Sequence, residues 1–209
     1  KPMAIAAGWG WVGTDLSEST SVSEESLAVR ILSDLAATTS ALVVGLDEVP
    51  EIGFARKKTT VEHRLDFYML RAILDGTPGL TSDKLRRVLE VVWSCLHQQG
   101  KKGLIFAYDE AQTLSDHSQE RQYPLSVLLE VFQALQKRNL PLMLVLTGLP
   151  TLFPKLVEAR TFAERMFRVV FLNRLAKDDS RDAILKPIEH ARCPVTFSKE
   201  AVAQVIELS

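Results

Sequence analysis

Asp109 and Glu110 follow five apolar or aromatic residues, Leu104 to Tyr108, in the stretch Gly-Leu-Ile-Phe-Ala-Tyr-Asp-Glu-Ala-Gln at 103–112. An unbroken apolar run of this kind suits a strand buried on both faces of a parallel sheet. Acids at the C-terminal end of such a strand sit where open α/β sheets bind ligands. Carboxylate oxygens suit a hard divalent cation, and a second carboxylate can orient water. A second apolar run, Leu140-Pro141-Leu142-Met143-Leu144-Val145-Leu146, ends in the hydroxyl of Thr147 and in Gly148. Arg160, Arg165 and Arg168 come next along the chain.

The elements around these residues alternate between strand and helix. Lys1 to Ala7 reads as the tail of a helix, and Trp9 to Val12 as a short strand ending at Gly13-Thr14-Asp15. Ser23 can cap a helix whose apolar face is Leu27, Ile31 and Leu35, and Thr38 to Ser40 ends it. Val61 to Leu74 has helical spacing, and Gly76-Thr77-Pro78-Gly79 breaks it. Ser82 opens another helix, with Leu85, Val88, Leu89, Val92 and Leu96 inside and Gly100 as its C′ glycine. Pro124 suits the first turn of a helix carrying Leu128, Leu129, Phe132 and Leu135. A further helix covers roughly Leu152 to Met166. Arg168 to Leu172, β-branched and aromatic, reads as a third short strand after the two apolar ones. Asp178 or Asp179 caps a helix that Pro187 interrupts, and Ser198 caps another starting at Lys199.

One stretch imitates the acid pair. Leu42-Val43-Val44-Gly45-Leu46-Asp47-Glu48 also runs from apolar residues into Asp-Glu. Gly45 weakens a strand there and Val49-Pro50 turns away at once, so a helix-to-loop transition with solvated acids is the reading set against it. Arg56-Lys57-Lys58 reads as a solvated basic loop, with a nucleic-acid contact as its alternative.

Composition sets outer bounds. The chain has 209 residues, 46% hydrophobic and 24% charged, with a formal net charge of −1, so no global basic field argues for nucleic acid. No apolar run approaches the ~18 residues of a membrane span. Of the two cysteines, Cys95 lies in an apolar helical pattern and reads as a buried free thiol, which fits a reducing cytoplasm. The four histidines show no metal-ligand spacing, and the serines at 21, 23 and 26 lack a nucleophile elbow. Trp9, Trp11 and Trp93 suit packing. The chain begins at Lys1 rather than at a methionine and stops within a helical pattern, so it reads as a piece of a longer protein.

Strand, helix, acid-tipped buried strand, helix, Thr-tipped buried strand, helix and strand is a doubly wound parallel α/β order. Here the chain resembles an AAA+ P-loop ATPase, nearest to the origin-recognition-like and signal-transduction-like group of prokaryotic ATP-binding proteins. Three stretches carry the resemblance: Leu-Ile-Phe-Ala-Tyr-Asp-Glu-Ala-Gln at 104–112, Leu-Val-Leu-Thr-Gly-Leu-Pro at 144–150, and Phe-Ala-Glu-Arg-Met-Phe-Arg-Val-Val-Phe at 162–171. It spans residue 8 to the end, with 40–80 fitting worst. It implies a three-layer αβα AAA+ core over 1–175 and the beginning of a helical lid over 176–209.

By this resemblance 104–110 is a Walker B segment, in which Asp109 ligands Mg²⁺ and Glu110 polarises the attacking water. Thr147 occupies the sensor-1 position. Arg165 is the arginine finger acting on a neighbouring subunit's nucleotide, with Arg160 and Arg168 as rivals. ATP or ADP with Mg²⁺ would be the cofactor, and a homo-oligomer or a protein partner would be the setting; DNA gets little support from the charge. The departure is that no Gly-x-x-x-x-Gly-Lys-Ser/Thr occurs in the chain. In the family that loop precedes the first strand seen here, so these residues alone are expected not to bind or hydrolyse ATP well. Two readings stand: a cytoplasmic ATPase coupling its nucleotide state to a larger assembly, and a nucleotide-dependent switch or scaffold that hydrolyses slowly or not at all.

Overall fold

Gly103, Leu104, Phe106 and Tyr108 in β4 (Gly103–Tyr108) are buried, which places this strand at the centre of the structure. The computed structural model describes residues 1–50, 58–189 and 193–208. A helix, α1 (Pro2–Ala6), leads into β1 (Trp9–Val12). β1 and β5 (Leu142–Leu146) flank β4 in a three-stranded parallel sheet of order β1-β4-β5. The register sets Trp11 beside Ile105 and Ile105 beside Met143, so alternate residues across all three strands share one face.

One face of that sheet is packed. Leu104, Phe106 and Tyr108 are covered by α2 (Glu24–Thr39), α4 (Thr81–Gln98) and α5 (Pro124–Lys137). The Phe106 and Phe132 rings meet edge to face with centroids 5.1 Å apart. On the other face Ile105 and Ala107 are half-buried and Met143 is 50% exposed. The strand expected to be buried on both faces is therefore fully buried on one. The class is α/β, with a parallel sheet flanked by helices.

Local signals explain the helix ends. Ser23 accepts the Ser26 N–H at 3.0 Å to start α2, and Pro124 occupies the first turn of α5. Gly100, with φ +79°, follows α4 in the left-handed conformation that glycine adopts without a Cβ penalty.

The described residues 41–50 and 58–76 depart from expectation. The region expected to pass from helix to loop is a strand, β2 (Val43–Pro50). It pairs antiparallel with β3 (Lys58–Arg64), and this two-stranded sheet is separate from the parallel one. The helix expected over Val61 to Leu74 starts later, as α3 (Phe67–Gly76). Asp66 caps it by accepting the Met69 N–H at 2.9 Å. The buried Thr39 hydroxyl donates to the Leu65 carbonyl at 2.7 Å, and Leu65 N–H donates to the Leu42 carbonyl. These contacts hold the chain extended where its spacing alone would allow a helical turn. Arg56 and Lys57 lie outside the described residues, and Lys58 opens β3.

After β5 the expected single helix is two, α6 (Leu152–Ala159) and α7 (Ala163–Met166), because Arg160 is extended between them. Arg168 to Leu172 forms no strand. Val170, Phe171 and Leu172 are 70%, 68% and 94% exposed. β-prone side chains make a strand only when a neighbouring strand supplies the ladder, and none of the described strands pairs with this segment.

The chain divides into two compact units, Lys1–Arg168 and Val169–Ser209. The second contains α8 (Lys177–Glu189) and α9 (Lys199–Leu208). Pro187 lies inside the end of α8 rather than stopping it. Ser198 caps α9, accepting the Ala201 N–H at 3.2 Å.

Candidate functional site

Asp109 is held between the ends of two neighbouring strands. On one side its N–H donates to the Thr14 carbonyl at 3.1 Å and its carbonyl accepts from Leu16 N–H at 2.9 Å. On the other, Thr147 N–H donates to the Tyr108 carbonyl at 2.9 Å, and Ala111 N–H donates to the Thr147 carbonyl at 3.0 Å. The backbone thus extends the parallel ladder past β4 and β5 and brings their C-terminal tips together.

The side chains meet there. Thr147 donates its hydroxyl to Asp109 Oδ1 at 2.5 Å, and Glu110 N–H donates to the same oxygen at 2.9 Å. The Thr147 hydroxyl, then the Glu110 amide, hold the Asp109 carboxyl below its ordinary range. Asp109 is nevertheless exposed, so an ionised carboxylate faces solvent. The preceding residue, Tyr108, is buried; its hydroxyl has no hydrogen-bond partner among the described residues, and burial raises its pKa.

Glu110 turns the chain with φ 53° and ψ 31°. A non-glycine residue pays roughly 1–2 kcal/mol in this left-handed region. The turn starts a short helical segment, Ala111–Thr113, and swings Gln112 back toward Glu110. Gln112 Nε2 donates to Glu110 Oε2 at 2.5 Å, while Gln112 Oε1 accepts Leu149 N–H at 3.1 Å. Lys155 on α6 donates to the Gln112 carbonyl at 2.6 Å. Burial lowers the pKa of the half-buried Lys155, and Asp116 opposes that shift. Asp116 in turn secures the start of α5, accepting Ser126 N–H at 3.0 Å and the Ser126 hydroxyl.

A cavity of about 320 Å³ opens beside Asp109. Trp11, Ala107 and Val145 form its apolar wall, and Asp15, Asp109 and Thr147 its polar rim. Gly13 lets β1 run close to β4 here: with φ +157°, its Cβ would lie 1.9 Å from the Ala107 carbonyl oxygen.

The structure thus brings Asp109 and Thr147 together at the cavity, while Glu110, adjacent in sequence, gives its amide to Asp109 and its carboxylate to Gln112 and does not line the cavity. Arg165 is exposed on α7, and no described hydrogen bond or ion pair joins it to the acids. Nor does it pair with Glu164 or Glu158. Its rival Arg160 is tied through Nε and Nη2 to Glu130 at 2.9 and 2.5 Å. Asp47 and Glu48 lie on β2 in the separate antiparallel sheet, away from the strand order that carries Asp109. Asp15, Gln112 and Lys155 escaped sequence reasoning. Gln112 could have been noticed for its closeness to the acid pair; nothing signals Lys155, which reaches it across 43 residues of chain.

No protein-family model, no curated protein and no solved structure matches this chain.

The donor chemistry at the site is all oxygen, which suits Mg²⁺ better than a soft metal. Among the described residues no group of three or more His, Cys, Asp or Glu could hold a metal by itself. A cation here would be held by the Asp109 carboxylate, the Thr147 hydroxyl, water and ligand oxygens, the manner in which Mg²⁺ is commonly bound with a nucleotide. These oxygen donors fit a hard divalent cation. The phosphate-gripping half has no counterpart, because the Gly-rich loop with its lysine is missing from these 209 residues.

Proposed function

We propose that the Lys1–Arg168 unit carries the metal and water half of an ATP site, in a module that couples ATP binding and hydrolysis to a larger assembly. The observation that carries this reading is the 2.5 Å contact between Thr147 Oγ1 and Asp109 Oδ1. It joins the two stretches that resemble the Walker B and sensor-1 segments of AAA+ ATPases, at the sheet end where such sites lie. In this reading Asp109 faces Mg²⁺, directly or through water, and Glu110 orients the attacking water. Thr147 positions Asp109 and senses the phosphate side. Mg²⁺ with ATP would supply neutralisation of the charge developing on the transferred phosphoryl group. Arg165 is available to a neighbouring subunit, being exposed and unpaired among the described residues. The two helices of Val169–Ser209 would begin the lid.

The test is Mg²⁺-dependent ATP hydrolysis by the full-length protein. Glu110→Gln should abolish turnover while retaining ATP binding, and Asp109→Asn should weaken the Mg²⁺ dependence. A Glu110→Gln variant that hydrolyses ATP like wild type overturns the assignment.

A nucleotide-dependent switch that turns over slowly or not at all is the second reading. It is favoured by the engagement of the Glu110 carboxylate with Gln112. Tight nucleotide binding with turnover well below one per minute would select it.

A further inference from the structure

We infer that Gln112 is the positioning residue for Glu110, fixing where its carboxylate points and tying that direction to the loop after β5. The inference rests on the water-activating role proposed for Glu110. The carboxamide is used at both ends: Nε2 donates to Glu110 Oε2 at 2.5 Å, and Oε1 accepts Leu149 N–H at 3.1 Å. Leu149 is two residues beyond Thr147, which holds Asp109. One side chain therefore connects the second acid to the strand that holds the first.

Two further contacts hold Gln112 itself. Lys155 on α6 grips its carbonyl at 2.6 Å. Gly148 leaves room for its carboxamide, since a Cβ on Gly148 would stand 2.2 Å from Gln112 Oε1. Asparagine, one methylene shorter, cannot span from the turn to both partners with the same backbone. The left-handed Glu110 brings the side chains of residues 110 and 112 together in this short turn. A displacement of the loop after β5 or of α6 is thereby passed to the Glu110 carboxylate, which makes Gln112 a coupling element as well as a tether.

The experiment has a kinetic arm and a spectroscopic arm. In the full-length protein, Gln112→Ala should lower kcat for Mg²⁺–ATP by roughly 10- to 100-fold, the scale of a misplaced reacting group, and change KM by less than about threefold. Gln112→Glu sets two carboxylates face to face. It should be no more active than Gln112→Ala, since a carboxylate cannot donate to Glu110 as the carboxamide Nε2 does. A role confined to folding would lower the unfolding midpoint in both variants along with kcat, whereas a positioning role lowers kcat with the midpoint of Gln112→Ala kept. Wild-type kcat and pH profile in Gln112→Ala, beside an inactive Glu110→Gln, overturns the positioning role and leaves the proposed function standing. Wild-type activity in Glu110→Gln overturns the proposed function instead.

The spectroscopic arm needs no turnover. With ¹⁵N-labelled glutamine, the Gln112 carboxamide proton should resonate downfield and move upfield in Glu110→Ala. A resonance unaffected by Glu110→Ala overturns the inference whatever the hydrolysis rate.

Discussion

Thr147 donates its hydroxyl to Asp109 across 2.5 Å although 38 residues separate them in the chain. The contact exists because β4 and β5 are parallel neighbours in register, with Tyr108 beside Leu146. It has a consequence for proton binding. Asp109 is held below its ordinary value of 3.8 in the folded chain, first by Thr147 and then by the Glu110 amide. A depressed carboxyl contributes stability above its unfolded pKa and loses it as pH falls through the folded one. Thr147→Val should raise the Asp109 titration midpoint toward the ordinary value, read by carboxyl ¹³C NMR. The stability difference between wild type and variant due to this charge should be present at neutral pH and shrink below about pH 4. An unchanged Asp109 midpoint would refute the contact.

Gly13 is the tightest backbone approach beside the site. Its Cβ would meet a carbonyl oxygen rather than a movable side chain, at 1.9 Å. Gly13→Ala should therefore cost about 3 kcal/mol or more, a range reached only through strain, cavities or buried polar loss. Urea unfolding measures it. A loss under about 1 kcal/mol would show that β1 does not run this close to β4.

Phe132 and Phe171 separate packed from unpacked aromatics. Phe132 is fully buried against Phe106, whereas Phe171 is 68% exposed. Phe132→Ala should destabilise by about 3–5 kcal/mol. Phe171→Ser should stay within about 0.5 kcal/mol. A large cost at Phe171 would mean that 168–172 is paired or covered after all.

Arg160 and Arg165 divide structure from function. Arg160→Ala removes a half-exposed pair with Glu130 and should cost about 0.2–1 kcal/mol. Arg165→Ala should leave the unfolding midpoint unchanged. Under the proposed function it should slow ATP turnover by about 10³-fold. Mixing Arg165→Ala with Glu110→Gln subunits should then restore activity, since each can supply what the other lacks. No restoration on mixing removes Arg165 from a role across subunits.

Helices with strong end signals were legible in the sequence. Ser23 before α2, Pro124 in α5 and Gly100 after α4 act within a few residues of themselves. The apolar runs of β4 and β5 were legible too, although the structure fully buries only one face of them. The described residues 43–50 and 58–66 depart from the expected loop and helix because their spacing fits helix and strand alike. What decides there is Leu65 N–H on the Leu42 carbonyl and Thr39 on the Leu65 carbonyl, contacts across 23 to 26 residues that local propensity cannot encode.

The sequence by itself determined which side chains could do chemistry: two acids after one apolar run and a hydroxyl after another. It could not determine that Thr147 reaches Asp109, that Gln112 holds Glu110, or that Lys155 holds Gln112. Those depend on strand order and register, which place residues 38 and 43 positions apart within hydrogen-bonding distance. Gly45 and Val49-Pro50 set the acids at 47–48 apart from those at 109–110 in the sequence, although the strand they argued against forms there. The tertiary structure separates the two pairs by strand order: among the described strands β4, which 109–110 follow, has a parallel neighbour on each side, whereas β2 has an antiparallel partner.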